Sequence, residues 1–153
     1  MTPQERLAQL GIVLPVAPAP IGVYVPSTRV GNIVYTSGQL PMRDGRLIAT
    51  GKVGQDLSID EAAAAARVAA LNALAQVAQI ARSINRVRRI VRLGVFVNSA
   101  TGFIDQPKVA NGASQLMIEI FGDAGQHVRS AVGNNELPLN AAVEVEMIAE
   151  IET

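Results

Sequence analysis

Between Ala142 and Ile151 the chain alternates with a period of two. Val143, Val145, Met147, Ala149 and Ile151 fall on one parity, and Glu144, Glu146, Ile148, Glu150 and Glu152 on the other. Such a pattern predicts a strand with one face in the core and one face carrying carboxylates. Three other stretches read as strands by β-branched content and flanking turns: Val23 to Val30, Ile33 to Ser37, and Arg86 to Asn98, the last an internal strand rich in Val and Ile. Gly31-Asn32 suits a tight hairpin between the first two, and a run around His127 to Val132 supplies a further strand before the turn-rich Gly133 to Pro138. After a turn at Arg43 to Arg46, Leu47 to Ala49 forms a short strand.

Helical signals interleave with these. Ser58-Ile59-Asp60-Glu61 is a capping box, and the Ala-rich segment behind it, to about Arg82, carries Val68, Leu71, Leu74 and Val77 at helical spacing. Its alanines suit close packing on a sheet. A second helix spans about Gln106 to Phe121, with Pro107 near its start and Gly122 beyond its end. Thr2-Pro3-Gln4-Glu5 starts a short N-terminal helix stopped at Gly11, and Pro15, Pro18 and Pro20 make its sequel an extended lead-in. The order hairpin, helix, strand, helix, strand, strand predicts one α+β domain over 1–153, a mixed sheet with two helices on one face and a short helical extension at 1–17.

Composition narrows the function. The chain has 153 residues, 49% apolar and 17% charged, which is ample for a core and excludes disorder. Thirteen basic residues balance thirteen acidic ones, so no general field attracts a phosphate backbone, and nucleic acid is a poor partner. The absence of cysteine removes disulfides, thiolate nucleophiles and sulfur-ligated zinc. The N-terminus lacks a secretory signal and is expected to be a cytoplasmic start. The Ala-rich segment contains Arg67, Asn72, Gln76 and Gln79, which favours a buried helix over a membrane span.

There is no phosphate-binding glycine loop, no nucleophile elbow and no histidine pair at metal spacing, so no metal site or cofactor is expected. His127 is the single histidine and reads as structural or exposed. Arg86, Arg88, Arg89 and Arg92 read as a solvated or inter-subunit charge cluster. Arg129 stands apart, inside the apolar run Val128-Arg129-Ser130-Ala131-Val132. A guanidinium cannot lose its charge, so an inward arginine needs an anion. The anion is either a glutamate of the last strand, in a structural pair, or the carboxylate of a ligand held by the planar fork.

The residues taken as an ordered set resemble the Rid family, the reactive-intermediate deaminases also called YjgF or L-PSP. The matching pieces are Ile21-Gly22-Val23-Tyr24, Gly31-Asn32, Ser37-Gly38-Gln39-Leu40-Pro41, Arg129-Ser130, Leu137-Pro138 and Val143 to Ala149. The resemblance implies a chorismate-mutase-like fold assembled as a homotrimer with pockets between subunits. It implies that Arg129 binds a substrate carboxylate, that Glu144 positions or activates water, and that Tyr24 and Ser37 lie near the substrate. The implied reaction is hydrolysis of a small 2-imino acid to the 2-oxo acid and ammonia, chemistry that needs no metal or covalent nucleophile.

The chain departs from the family pattern in three places. His127 stands where a proline is usual, Ala131 where a cysteine is frequent, and the pocket asparagine of the second helix aligns with Ser114 by spacing or Asn111 by residue type. These departures keep open a non-catalytic trimer that binds a carboxylate metabolite. The endoribonuclease and translation-inhibitor labels used in the family find little support in a neutral chain without tryptophan.

Overall fold

The computed structural model describes residues 1–153. In chain order the elements are α1 (Pro3–Gln9), β1 (Ser27–Val30), β2 (Ile33–Thr36), β3 (Met42–Arg43), β4 (Arg46–Leu47), α2 (Ile59–Ala81), β5 (Val87–Asn98), α3 (Gln106–Phe121), β6 (Val128–Asn134) and β7 (Val143–Ile151). Five strands form one sheet in the order β1-β2-β7-β5-β6, and β3 with β4 forms a separate small hairpin. Only the β5–β6 pair is parallel; every other pair in the sheet is antiparallel. The fold is the expected α+β arrangement, a mixed sheet with α2 and α3 on one face.

The alternation of β7 sets the two faces. Its odd residues from Val143 to Ile151 are all buried, while Glu144, Glu146, Ile148 and Glu150 are only half-buried on the side without helices. On the helical side Val34, Leu93, Met147, Leu74 and Leu116 are fully buried in one cluster with the alanines of α2. Each large side chain removed from water in this way contributes about 1.5–3 kcal/mol.

The predicted capping box of Ser58 with Glu61 starts α2, and Thr2 forms one with Glu5 at the start of α1. The burial of α2 rests on Ala62, Ala65, Ala66, Ala69, Ala70 and Ala73, with Leu74 and Val77; Val68 and Leu71 are only half-buried. Small side chains let the helices approach closely. A Cβ at Gly112 of α3 would overlap the carbonyl of Ala63 on α2. By length and hydropathy α2 could cross a membrane, but most of its apolar stretch is packed inside this domain.

Three strands have an end two or more residues from expectation. The first strand begins at Ser27 instead of Val23, because its partner β2 ends at Thr36 and leaves residues 23–26 no ladder to join. The strand expected at Leu47 to Ala49 is instead Arg46–Leu47, paired with Met42–Arg43 across Asp44 (φ 52°) and Gly45 (φ 76°), a two-residue turn that matches strand twist. The strand expected to end near Val132 runs to Asn134, and His127 lies just outside it. In the arginine cluster, register shifts along β5 interrupt simple alternation. Arg92 pairs with Glu146 at 3.2 Å and Arg86 with Glu152 at 3.9 Å, while Arg88 and Arg89 stay exposed.

The close α2–α3 approach predicts that Gly112→Ala costs about 2–3 kcal/mol, read as a fall of roughly 5–10 °C in the melting midpoint by calorimetry. An unchanged midpoint would show that the two helices can separate freely.

Candidate functional site

A cleft of about 470 Å³ opens at the end of the β2–β7 pair, where β2 finishes and β7 begins. The segment Ser37 to Leu40 forms one side, the lead-in from Pro18 to Ile21 with Tyr24 another, and Pro138, Leu139 and Glu144 a third. Gln39 and Val145 exchange backbone hydrogen bonds at 2.8 and 2.9 Å, which carries the pairing beyond β2 and holds this segment against Glu144. The Ser37 hydroxyl donates to the Val25 carbonyl at 2.7 Å, so its lone pairs remain available. The Tyr24 hydroxyl oxygen accepts the Ile21 amide at 3.3 Å, and the ring lies over Gly22, where a Cβ would crowd it.

Buried amides fix the walls. Gln76 on α2 is 1% exposed and donates to the Pro18 carbonyl at 2.7 Å and to Gln39 Oε1 at 3.3 Å, tying the lead-in to the opposite wall. The lip at Leu139 and Asn140 adopts positive φ at both residues, 57° and 59°. Fully buried Asn98 supports it through bonds to Asn140 Oδ1 and the Ala141 carbonyl, both at 3.2 Å, and itself accepts from Lys52 at 3.1 Å. Two adjacent left-handed residues persist only where surrounding contacts hold them.

Glu144 has no hydrogen-bond or ion-pair partner in the chain. Its carboxylate lies where a Cβ on residue 38 would stand, so Gly38 is required for this placement. Burial first, and the charge of Glu146 second, raise its carboxyl above the ordinary carboxylate range. A half-buried, unpaired carboxyl in a cleft can order a water and exchange a proton with it.

Arg129 occupies a different part of the molecule. It aligns with Leu93 of β5, which aligns in turn with Met147 of β7, so it projects from the helical face at the far edge of the sheet. There Asn111 and Ser114, one turn apart on α3, accept from its Nη1 at 2.9 and 3.1 Å. The structural ion pair with a last-strand glutamate is absent, because β5 separates β6 from β7 and Glu146 pairs with Arg92. Nε and Nη2 bond to no group of this chain. Both candidates for the α3 position therefore hold the same guanidinium nitrogen. His127 joins the cluster, with Nε2 2.8 Å from Ser114 Oγ and Nδ1 2.6 Å from the Gly125 carbonyl.

A single chain thus brings Tyr24, Ser37 and Glu144 together and keeps Arg129 with Ser114 apart from them, on the opposite face of the sheet. No group of three His, Asp or Glu side chains is placed to hold a metal ion. Gln76, Asn98 and the Leu139 lip carry no motif that would have revealed their roles. Gly38 lay within a matching segment without a role assigned to it.

The model of the family described as "YjgF/chorismate mutase-like, putative endoribonuclease" matches residues 4–151. Protein TCP17 of Trypanosoma cruzi is 44% identical over 147 residues, covering 95% of this chain and 92% of that protein. A 2-iminobutanoate/2-iminopropanoate deaminase of Dermatophagoides farinae is 33% identical over 138 residues, covering 90% and 93%. The crystal structure of Atu1372 from Agrobacterium tumefaciens, a protein of unknown function, superposes with a TM-score of 0.91 at 44% identity, covering 98% of this chain and 92% of that one. With its fold, its motif segments and nearly its whole length in agreement, the chain belongs to the YjgF/chorismate-mutase-like family, also called Rid.

Proposed function

We propose that this protein hydrolyses small 2-imino acids to 2-oxo acids and ammonia, in pockets completed between copies of the chain in a homotrimer. The observation that carries this reading is Arg129: its guanidinium is oriented through Nη1 and meets no carboxylate of its own chain. A ligand carboxylate is the anion such a group fits. The 33% identity to an imine deaminase supports the reaction class. The sheet face without helices leaves Val30, Tyr35, Val128 and Val132 exposed, which supports association of copies through that face.

In this reading the Arg129 fork of one subunit binds the substrate carboxylate above the Tyr24–Ser37–Glu144 cleft of the next. Ionised Glu144 orients a water toward the C=N carbon and takes its proton as the C–O bond forms. Glu144 returns this proton to the imine nitrogen, which gives the neutral carbinolamine, and then carries the carbinolamine hydroxyl proton to the same nitrogen as the C–N bond breaks, the C=O bond forms and ammonia leaves. Substrate and water become oxo acid and ammonia, and the enzyme is regenerated.

Decay of 2-iminobutanoate, generated by an amino-acid oxidase, tests the reaction. Arg129→Ala is expected to lower kcat/KM about a hundredfold, and Arg129→Lys less, because a point charge replaces a fork. The stability of Arg129→Ala should change by under about 1 kcal/mol, since no internal ion pair is lost. Oxo-acid binding without turnover in the wild type would convert the proposal to a metabolite-binding trimer.

Subunit mixing tests the shared pocket. Equal amounts of inactive Arg129→Ala and Glu144→Gln chains, unfolded and reassembled together, should regain about a quarter of wild-type activity, because a pocket works only when its Arg129 side comes from the Glu144→Gln chain and its Glu144 side from the Arg129→Ala chain, each an independent even chance. No recovery would place both residues in one subunit's pocket or none.

The elevated Glu144 carboxyl sets the pH dependence. Activity should rise with pH through a range above that of ordinary carboxylates, and Glu146→Gln should move this limb to lower pH. For stability the sign is opposite: a raised folded-state value favours the fold below the ordinary carboxylate range and loses that contribution as pH rises through it. Glu144→Gln should therefore melt higher than the wild type at neutral pH, with the difference vanishing in acid. A pH-independent difference would contradict the assigned burial.

A further inference from the structure

With a neutral imidazole, the His127 cluster has a single self-consistent arrangement of protons. The Gly125 carbonyl can only accept, and it lies 2.6 Å from His127 Nδ1, so Nδ1 carries a hydrogen. With the opposite tautomer two acceptors would face each other at that distance. In the neutral ring Nε2 is then the acceptor, and its partner at 2.8 Å is the Ser114 hydroxyl, which must donate. The Ser114 oxygen in turn accepts from Arg129 Nη1 at 3.1 Å. The chain therefore runs in one direction, from guanidinium to hydroxyl to imidazole to backbone carbonyl.

Its far end is anchored. Gly125 is buried, and a Cβ there would overlap the carbonyl of Met117 on α3, so the accepting carbonyl is held by close packing against the same helix that presents Ser114. Without a donor-acceptor match at His127, the Ser114 hydroxyl is free to rotate its proton toward the guanidinium side.

We infer that His127 is a positioning residue for Arg129: as the Nδ1–H tautomer it orders the Ser114 hydroxyl, which fixes Nη1 and leaves Nε and Nη2 directed at an incoming carboxylate. This deepens the anchoring role proposed for Arg129 and rests on it. The role explains how a histidine can stand here, two residues ahead of the arginine, on geometry alone.

The histidine is the only one in the chain, so its imidazole nitrogens give unobscured signals in the full-length protein. Nitrogen-15 NMR of the ligand-free wild type at neutral pH should show the Nδ1–H tautomer; the Nε2–H tautomer would overturn the inference without reference to any activity. Three variants then separate positioning from packing. His127→Phe fills the space with neither bond, His127→Asn keeps reach only to Gly125, and His127→Gln places an amide oxygen where Nε2 stood. The dissociation constant for 2-oxobutanoate and the KM for 2-iminobutanoate should rise about tenfold in the Phe and Asn variants and stay within about threefold of wild type in Gln, as for loss of one ordering hydrogen bond. Values of kcat should move little.

Equal binding by Phe, Asn and Gln variants that melt like the wild type would overturn the positioning role. Should Arg129→Ala itself bind 2-oxobutanoate as well as the wild type, the anchor reading fails and this inference with it. Weakened binding in Arg129→Ala beside unaltered binding in His127→Phe removes the positioning role alone.

Discussion

The structure depends on the alternation of β7 in the middle of the sheet. One parity of that strand, Val143 to Ile151, is buried against α2 and α3, and the other holds three glutamates and an isoleucine on the face without helices. A slip of one residue would bury the carboxylates and expose the core, so register on both sides, to β2 and to β5, follows from this single pattern. Glu144 is a member of the second parity. Its position at the cleft is thus inherited from the same constraint that builds the core.

Close packing on the other face supplies the rest of the scaffold. Alanines of α2 and Gly112 of α3 allow the helices to approach until, at Gly112 and Ala63, backbone meets backbone. That approach fixes where the exposed edge of α3 lies, and with it Asn111 and Ser114. The guanidinium of Arg129 is consequently oriented by groups whose positions derive from core packing. Preorganisation of this kind reduces the ordering that a ligand must impose on binding.

Within one chain the two charged groups of the candidate site are held on opposite faces of the sheet. Each is left without a counter-charge, Glu144 with a raised carboxyl and Arg129 with the donors of Nε and Nη2 unmatched. An ionised group kept partly from water without a partner is costly, and such groups mark places where a ligand or another surface supplies the missing contact. In the proposed homotrimer, a substrate between two copies of the chain would meet Arg129 with its carboxylate and Glu144 with its imine carbon and the attacking water. The apolar residues exposed on the sheet face without helices, among them Val128 and Val132 on the side of β6 opposite Arg129, would give the proposed association a driving force.

The sequence by itself determined the α+β class, both capped helices, the internal strand β5 and the two-faced β7, because each follows from local periodicity or from end chemistry within a few residues. It also contained the ordered segments around Tyr24, Ser37, Arg129 and Glu144. Strand ends at Ser27, Leu47 and Asn134 were not legible, since a strand stops where its partner stops. Only the tertiary structure decided that β5 lies between Arg129 and the glutamates of β7, which removes the internal ion pair. It alone placed Arg129 and Glu144 on different faces, joined Asn111, Ser114 and His127 around one guanidinium, and set buried Gln76 and Asn98 behind the cleft walls. These are contacts between residues far apart in the chain, and side-chain periodicity says which way a residue faces but not which distant group it meets.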